Sequence, residues 1–499
     1  MSDTIDHLVR IRSAEYGDKP MVIDPDRRVS YAELDETTRA ISAAFIHAGV
    51  TKGTRVGLIM PNRAQWVQFA VALTRIGAVL VPLSTLLQPP ELLAHLRVAC
   101  VQVLVTVEEF RGHRYLDDLA GALNTPRLPA LRTVLTPEQV SATPDDQGVA
   151  SFAAAVTPSD TLAIMFTSGS SGPPKGVIHS HGNALAAVRS GLAARCIESD
   201  TRLYLPMPFF WVGGLGSGIL SALLAGATLV TEESPRAETT LRLLERERVT
   251  LFRGWPDQAE ALARQSASVG VDLSALRPGS LEALLPTEQR SEPGARARLF
   301  GMTESFGPYC GYPADADMPR SAWGSCGKPF DGMEVRIVDP ETGRPVAAGS
   351  IGMIQIRGPH TLRGICRRGR EELFTPDGYY PTGDLGHLDD DGFMFYHGRS
   401  DDMFKVSGAT VYPSEVEQAL RTIDGVENAF VTEVSGAVGA VVISNSPIEA
   451  LRTAARRRLS AFKVPTLWLL VGSDDDIPRG TTGKVDVRRL RELLQTQRR

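Results

Sequence analysis

Apolar positions in the first part of the chain alternate between a helical and a strand spacing. A stripe at Leu34, Ile41 and Phe45 follows the capping-box pattern Ser30-Tyr-Ala-Glu33 and ends near Gly49, which predicts a helix. The run RVGLIM, Arg55 to Met60, predicts a strand; Gln65 to Gly77 a helix; VLVPL from Val79 a strand; the region of Glu91 a helix; and VQVLVTV from Val101 another strand. Strands separated by helices imply a parallel sheet in a layered α/β fold. The stretch Thr125 to Gly148, rich in Pro, Thr and Asp, reads as a surface connection between two α/β lobes at about 1–150 and 151–320.

Between Gly327 and Gly398 the pattern changes to short turn-bounded runs, EVRIVDPETG, GMIQIRG, GYYPTGDLG and DGFMFYHG, which predict a small antiparallel β-barrel or sheet over about 321–400. A second capping box, Ser414-Glu-Val-Glu417, opens a new unit that closes on a helix from Val485 to Leu494. The boundary falls at Ser400 or Asp401, giving a large N-terminal α/β domain over 1–400 and a smaller α+β C-terminal domain over 401–499.

Composition narrows the class. The 499 residues are 43% hydrophobic, with 53 basic and 58 acidic side chains and a net charge of −5, which describes a globular chain with no basic excess for nucleic acid. The five cysteines contain no CxxC pair and read as reduced, mostly buried thiols; the nine histidines contain no HExxH, which argues against zinc. The N-terminal MSDTIDHLVRIRS reads as neither a secretory signal nor an anchor. The most apolar window, Phe69 to Leu87, holds Arg75, Gly77 and Pro82 and reads as helix then strand. The expectation is a cytoplasmic protein without a transmembrane segment. Arg456 to Arg458, near Leu451, Leu459 and Phe462, read as a solvated helix face.

The densest small-residue segment is TSGSSGPPKGV, Thr167 to Val177, at the end of the apolar run TLAIMF. Glycines at 169, 172 and 176 permit tight turns, successive N–H groups form an anion nest, hydroxyls add donors and Lys175 adds a mobile charge. Such a segment can grip phosphates, although its Pro-Pro-Lys-Gly differs from the P-loop of NTPases. A flexible Gly/Ser surface loop is the alternative reading of the same composition.

This segment resembles the signature of adenylate-forming enzymes, the superfamily of acyl-CoA synthetases, amino-acid adenylation domains and firefly-type luciferases. Four more segments agree in order: GMTES (Gly301–Ser305), YYPTGD (Tyr379–Asp384), GRSDDMFKVSGATVYPSEVE (Gly398–Glu417) and PRGTTGK (Pro478–Lys484). The resemblance implies that Thr167, Ser168, Gly169, Ser170, Ser171, Gly172 and Lys175 hold the β- and γ-phosphates of ATP. Glu304, with Thr167, would ligate Mg2+; Thr303 would reach the α-phosphate; Phe300 and Gly301 would lie at adenine; Asp384 would accept from the ribose hydroxyls; Arg399 would contact ribose or phosphate. Lys484 would stand between the attacking carboxylate and the α-phosphate. Asp401 would be the hinge of a mobile C-terminal lid, which brings Ser407 and Gly408 to the CoA arm.

The implied reaction is activation of a carboxylic acid by ATP to an acyl-adenylate, followed by transfer to the CoA thiol. Trp211, in MPFFWVGGLGSG, stands where the family shows a histidine, and reads either as a wall of the acyl channel or as core. No acid that could pair with a substrate ammonium follows it through Leu215, which favours a non-amino acid, fatty, aryl or alicyclic. Three features depart from the family. The helix usually preceding the motif at Gly301 is truncated in EALLPTEQRSEPGARARLFGMTE, Phe300 replaces a tyrosine, and Met353 replaces a glutamate. A separate carrier-protein thiol as acceptor, a homodimer, and a degenerate nucleotide-binding member without ligase activity stay open.

Overall fold

The computed structural model describes residues 3–121, 127–140, 146–167, 174–400, 404–406, 409–479 and 485–496. By density of internal contacts the chain forms two compact units, Met1–Glu334 with Arg357–Tyr380, and Val335–Ile356 with Pro381–Arg499.

The first unit is built on two sheets. The larger has seven strands in the order Gly364–Ile365, Lys175–Ser180, Thr161–Thr167, Val79–Pro82, Arg55–Ile59, Val103–Thr106 and Thr133–Leu135. Its strands from Thr161–Thr167 to Thr133–Leu135 pair in parallel, as the alternation of strands and helices predicts, while Lys175–Ser180 returns antiparallel. The second sheet has the order Leu251–Phe252, Arg202–Tyr204, Thr228–Val230, Pro20–Ile23 and Arg28–Ser30.

Both sheets therefore draw strands from either side of residue 150, and the two expected lobes do not correspond to separate sheets. Parallel neighbours are joined by long crossovers, so proximity in sequence is a poor guide to sheet membership. Part of Thr125 to Gly148 is likewise more than connection, because Thr133–Leu135 extends the larger sheet and Asp146 opens a helix to Ala154.

Local chemistry explains the helices. Ser30 Oγ accepts from Glu33 N at 3.1 Å and the Glu33 carboxylate accepts from Ser30 N at 2.8 Å, so the helix Tyr31–His47 begins with its end N–H groups satisfied. Its buried face carries Leu34, Thr38, Ser42 and Phe45. The helix Ala64–Arg75 is buried nearly all round, since it contacts strand Val79–Pro82 of one sheet and Pro20–Ile23 of the other. Trp66 on this helix packs on Phe209 with ring centres 5.4 Å apart.

In the second unit, strands Glu334–Val338, Gly352–Arg357, Tyr380–Leu388 and Met394–Arg399 lie in that order in one sheet. The order has two outer strands, so of the small barrel or sheet expected, the described residues form the sheet, without closure. This sheet groups with the C-terminal elements, whereas the boundary drawn at Ser400 or Asp401 would separate them. Strands Val426–Val434, Ala437–Ser444 and Leu467–Val471 form a further sheet, and the helix Val487–Thr496 matches its expected position. The capping box expected at Ser414 does not form. The helix starts at Pro413, the Ser414 hydroxyl donates to the His397 carbonyl, and Glu417 accepts from Val431 N at 2.9 Å.

Two of the five thiols, Cys310 and Cys326, are buried; Cys196 and Cys366 are half-buried and Cys100 is exposed, so burial is less general than expected. Arg456 to Arg458 are exposed, as their pattern implies. No helix among the described residues is long and apolar enough to cross a membrane.

Candidate active site

Thr167 ends a strand whose neighbour Val79–Pro82 runs parallel to it, so the small-residue segment leaves the sheet at a carboxyl end, where α/β sheets place their ligands. Thr167 pairs with Lys175 across the hairpin, which fixes the two ends of the segment opposite each other. Thr167 is half-buried and Lys175 exposed. Ser168, Gly169, Ser170, Ser171 and Gly172 lie outside the described residues. Gly176 serves packing rather than a turn, since a Cβ there would stand 2.9 Å from Ile164 Cγ2 and 3.0 Å from Cys366 Sγ.

The GMTES segment is a strand, Phe300–Met302, followed by a tight turn, Thr303–Ser305. Gly301 is required by close backbone approach: a Cβ would lie 2.1 Å from the Gly307 carbonyl oxygen. The Phe300 ring meets Tyr309 edge-on at 5.7 Å, which keeps an aromatic surface at the position where the family shows tyrosine. Thr303 is half-buried and Glu304 only 8% exposed. Tyr380 Oη donates to Glu304 Oε1 at 3.4 Å, and the Glu304 carbonyl accepts from Leu362 N at 2.8 Å. The turn closes at Phe306 with φ +51°, a left-handed conformation that costs an ordinary side chain energy.

The truncation ahead of this motif is real: between Val269 and Phe300 there are only short turns at Glu282–Leu284 and Thr287–Gln289.

In the second unit, Asp384 and Arg399 are register partners on antiparallel strands, with Nη1 3.2 Å from Oδ1. The same nitrogen donates to the Thr382 carbonyl at 2.9 Å, and Asp384 N donates to Thr382 Oγ1 at 3.0 Å. Gly383 sits at φ +76°, which favours glycine, and a Cβ there would push on the Arg399 guanidinium 2.8 Å away. Asp401, Ser407, Gly408 and Lys484 lie outside the described residues.

The AMP-binding enzyme family profile matches residues 9–366. This chain belongs to the AMP-binding enzyme family. It is 33% identical to 3-[(3aS,4S,7aS)-7a-methyl-1,5-dioxo-octahydro-1H-inden-4-yl]propanoyl:CoA ligase of Mycobacterium tuberculosis (strain ATCC 25618 / H37Rv), over 98% of each chain. It is 30% identical to 3-hydroxybenzoate–CoA ligase of Aromatoleum sp. (strain CIB), over 96% of this chain and 94% of that one. The anthranilate CoA ligase AuaEII in complex with anthranoyl-AMP shares the fold, with a TM-score of 0.82 at 24% identity over 98% and 97% of the two chains.

In this AMP-binding enzyme Trp211 is half-buried and stands edge-on between two rings, Phe210 at 5.8 Å and Trp255 at 6.0 Å. Both tryptophans follow parallel strands of the second sheet at their carboxyl ends. Trp255 remains 37% exposed, so the pair presents ring surface. Asn62 clamps the backbone before Trp211, donating to the Met207 carbonyl at 3.0 Å and accepting from Phe209 N at 2.9 Å. After Trp211 the chain forms a wide π-type helix, Gly213–Leu220; a Cβ on Gly214 would lie 2.1 Å from the Pro208 carbonyl oxygen.

Sequence reasoning missed Trp255, Asn62, Tyr380 and His179. Tyr380 lies inside a quoted motif, and Trp255 stands between a strand and the helix-starting Pro256, a position that could have flagged it. Asn62 and His179 carry no signal in sequence, because only the fold shows which carbonyl each reaches.

Proposed function

We propose that this AMP-binding enzyme is an acid–thiol ligase that activates a cyclic, largely apolar, non-amino carboxylic acid with ATP and passes the acyl group to CoA. In the first step a carboxylate oxygen attacks the α-phosphorus and the bond to pyrophosphate breaks. In the second the CoA sulfur attacks the acyl carbonyl and AMP leaves with the bonding electrons. Activation is needed because a free carboxylate is anionic and would have to expel oxide, whereas AMP is a stable leaving group.

The observation that carries the substrate class is the Trp211–Trp255 pair, perpendicular at 6.0 Å with Trp255 37% exposed, an aromatic surface that suits a ring. The relatives named above act on a bicyclic propanoate and a hydroxybenzoate, which supports the same class. A fatty acid is the second reading, favoured by the bare apolar character of the pair.

The family resemblance implies the roles, and the residue types suit them. Thr167, Lys175 and the segment between them suit the β- and γ-phosphates, Thr303 the α-phosphate, Phe300 and Gly301 the adenine, and Asp384 with Arg399 the ribose. Magnesium usually takes one or two carboxylates and completes its shell with phosphates and water. Glu304 is the residue to hold it, beside Thr167, and the ion would neutralise phosphate charge. Lys484 would stabilise charge developing at the α-phosphate. Asp401 would be the hinge that serves the thiol step with Ser407 and Gly408, Gly408 leaving room for a pantetheine arm. The C-terminal segment from 401 to 499 is the proposed moving part. The cytoplasm is the proposed compartment.

The test is pyrophosphate release with Mg-ATP and a panel of 3-hydroxybenzoate, cyclohexanecarboxylate, 3-cyclohexylpropanoate and octanoate, with and without CoA. Cyclic acids giving sustained release only with CoA support the reading. Octanoate as the best substrate moves the enzyme to the fatty class. Release indifferent to CoA points to a carrier-protein thiol, and ATP binding without release under any acid points to a nucleotide-binding protein.

A further inference from the structure

We infer that His179 is a positioning residue for adenylation, which holds the Thr303–Glu304 turn by a hydrogen bond from its ring to the Thr303 carbonyl. The inference rests on the reading of Thr303 and Glu304 as nucleotide-contacting residues.

His179 lies on the strand that returns from the small-residue segment, and it is fully buried. Its Nε2 stands 2.9 Å from the Thr303 oxygen and its Nδ1 2.9 Å from Asn183 Nδ2. The orientation of the Asn183 amide is set independently, because its Oδ1 accepts from Ser180 N at 2.7 Å and its NH2 also donates to the His360 carbonyl at 3.2 Å. An NH2 group can only donate, so Nδ1 must accept and the ring proton sits on Nε2, aimed at Thr303. Burial pushes the imidazole down to about 3, so the ring stays neutral and keeps this arrangement at every working pH.

The turn needs such a support. It spans only Thr303–Ser305, ends in a left-handed phenylalanine, and has one internal hydrogen bond to the Thr303 carbonyl, from Phe306 N at 3.0 Å. His179 supplies the second bond to that oxygen, and its ring packs on Phe306 at 4.9 Å with the planes 67° apart. Phe306 in turn lies against Gly216 of the wide helix after Trp211, where a Cβ would be 3.2 Å from its ring. Leu362 N fixes the next carbonyl, that of Glu304. With both carbonyls held, the peptide between Thr303 and Glu304 cannot rotate, and the two side chains keep their direction.

Two polar replacements separate positioning from mere filling. His179→Gln places an amide donor at about the depth of Nε2 and reaches Thr303; His179→Asn ends at about the depth of Nδ1 and does not. Both are measured on the full chain with the best acid of the panel above: pyrophosphate release in a single turnover without CoA, thioester formation from supplied acyl-adenylate and CoA, and the melting temperature. The expected result is adenylation within about threefold of wild type for Gln and lower by about tenfold or more for Asn. Thioester formation from supplied acyl-adenylate, which keeps the α-phosphate but lacks the β- and γ-phosphates and their ion, should fall less than adenylation in the Asn variant. Equal adenylation by the two variants, or an equal fall in both half-reactions, overturns the inference.

Glu304→Gln run alongside tells the two readings apart. If it keeps full adenylation, the assignment of the turn fails and His179 with it. If it loses adenylation while the Gln and Asn variants match, only the role of His179 fails.

Discussion

Arg399 donates from a single guanidinium nitrogen to both the Asp384 carboxylate, 3.2 Å away, and the Thr382 carbonyl, 2.9 Å away. The contact holds a nearly buried carboxylate at a fixed angle on its strand, which in the proposed ribose role would spare the cost of first ordering the side chain.

Asp384→Ala should therefore raise KM for ATP by about 10- to 100-fold, the size expected when hydrogen bonds to a charged acceptor are lost. Arg399→Lys keeps the charge and a nitrogen with several donors but loses the rigid guanidinium plane that fixes that nitrogen between the two acceptors, and should raise the same KM by about tenfold. Initial rates of pyrophosphate release against ATP concentration decide it; an unchanged KM in Asp384→Ala removes this residue from the nucleotide site.

Gly301→Ala should cost about 1–3 kcal/mol and lower adenylation by at least about tenfold, because the new methyl group would be driven into backbone. The obstacle is the Gly307 carbonyl at 2.1 Å and the Pro308 Cα at 2.4 Å, neither of which can swing away as a side chain could. Gly121→Ala is the matched control: nothing lies within 4 Å of its Cβ position, and stability should move by less than about 0.5 kcal/mol. Equal urea midpoints for the two variants would contradict the packing argument.

Much of this was legible in the sequence, and the reasons differ by element. The order of strands and helices through residue 106 was readable because amphipathic period and capping chemistry are local, as at Ser30 and Glu33. Sheet membership was not, because the pairing of Pro20–Ile23 with Thr228–Val230 is decided by a crossover of two hundred residues that leaves no local mark. The motif at Gly301 was visible, and so was the missing helix before it. What the pattern could not show is that His179, one of nine scattered histidines, reaches Thr303 across 124 residues. Its alternation with Val177 in a strand reads equally well as a core histidine. The Ser414 capping box failed because the helix begins one residue earlier, at Pro413, which puts Ser414 inside the first turn with its hydroxyl donating to the His397 carbonyl.

Arg75→Met should destabilise the first unit by about 3–5 kcal/mol, the range for removing one member of a buried ionic cluster. Arg75 is 1% exposed and donates to Asp6 Oδ1 at 2.6 and 3.0 Å, to Asp35 Oδ1 at 2.9 Å, to the Asp35 carbonyl at 3.1 Å and to Thr38 Oγ1 at 2.8 Å. Methionine fills the space but removes the buried cation that the two carboxylates share, leaving Asp35 only Arg39 at 2.5 Å and Asp6 only Arg10 at 3.9 Å as ion-pair partners among the described residues. The triple replacement of Arg75 by Met, Asp6 by Asn and Asp35 by Asn removes the two carboxylate charges as well and should recover part of the loss. Urea denaturation measures both, and a triple variant less stable than the single one would show that the charges are not the source.

Acid should weaken the first unit well before its carboxylates titrate. Burial lowers His179 to about 3, and His181 and His360 to about 4, each against an ordinary value of 6.5. A histidine held neutral when folded and free to protonate when unfolded makes the unfolded chain bind more protons. Its contribution is therefore complete above about pH 6.5 and is lost as the pH falls towards 3 or 4, with a slope approaching 1.4 kcal/mol per pH unit for each ring. Between pH 7 and 5 the loss is about 2 kcal/mol per histidine. His179→Gln removes one titrating ring while keeping its donor, so its stability should fall by about 2 kcal/mol less than wild type over that interval, whatever the difference between them at pH 7. Four of the five tryptophans, at 66, 211, 255 and 323, lie in the first unit, so fluorescence-monitored urea midpoints at pH 7, 6 and 5 report on it directly. Parallel pH curves for the two proteins would mean that His179 is protonated equally in both states, and the tautomer that aims Nε2–H at Thr303 could not then rest on a neutral ring.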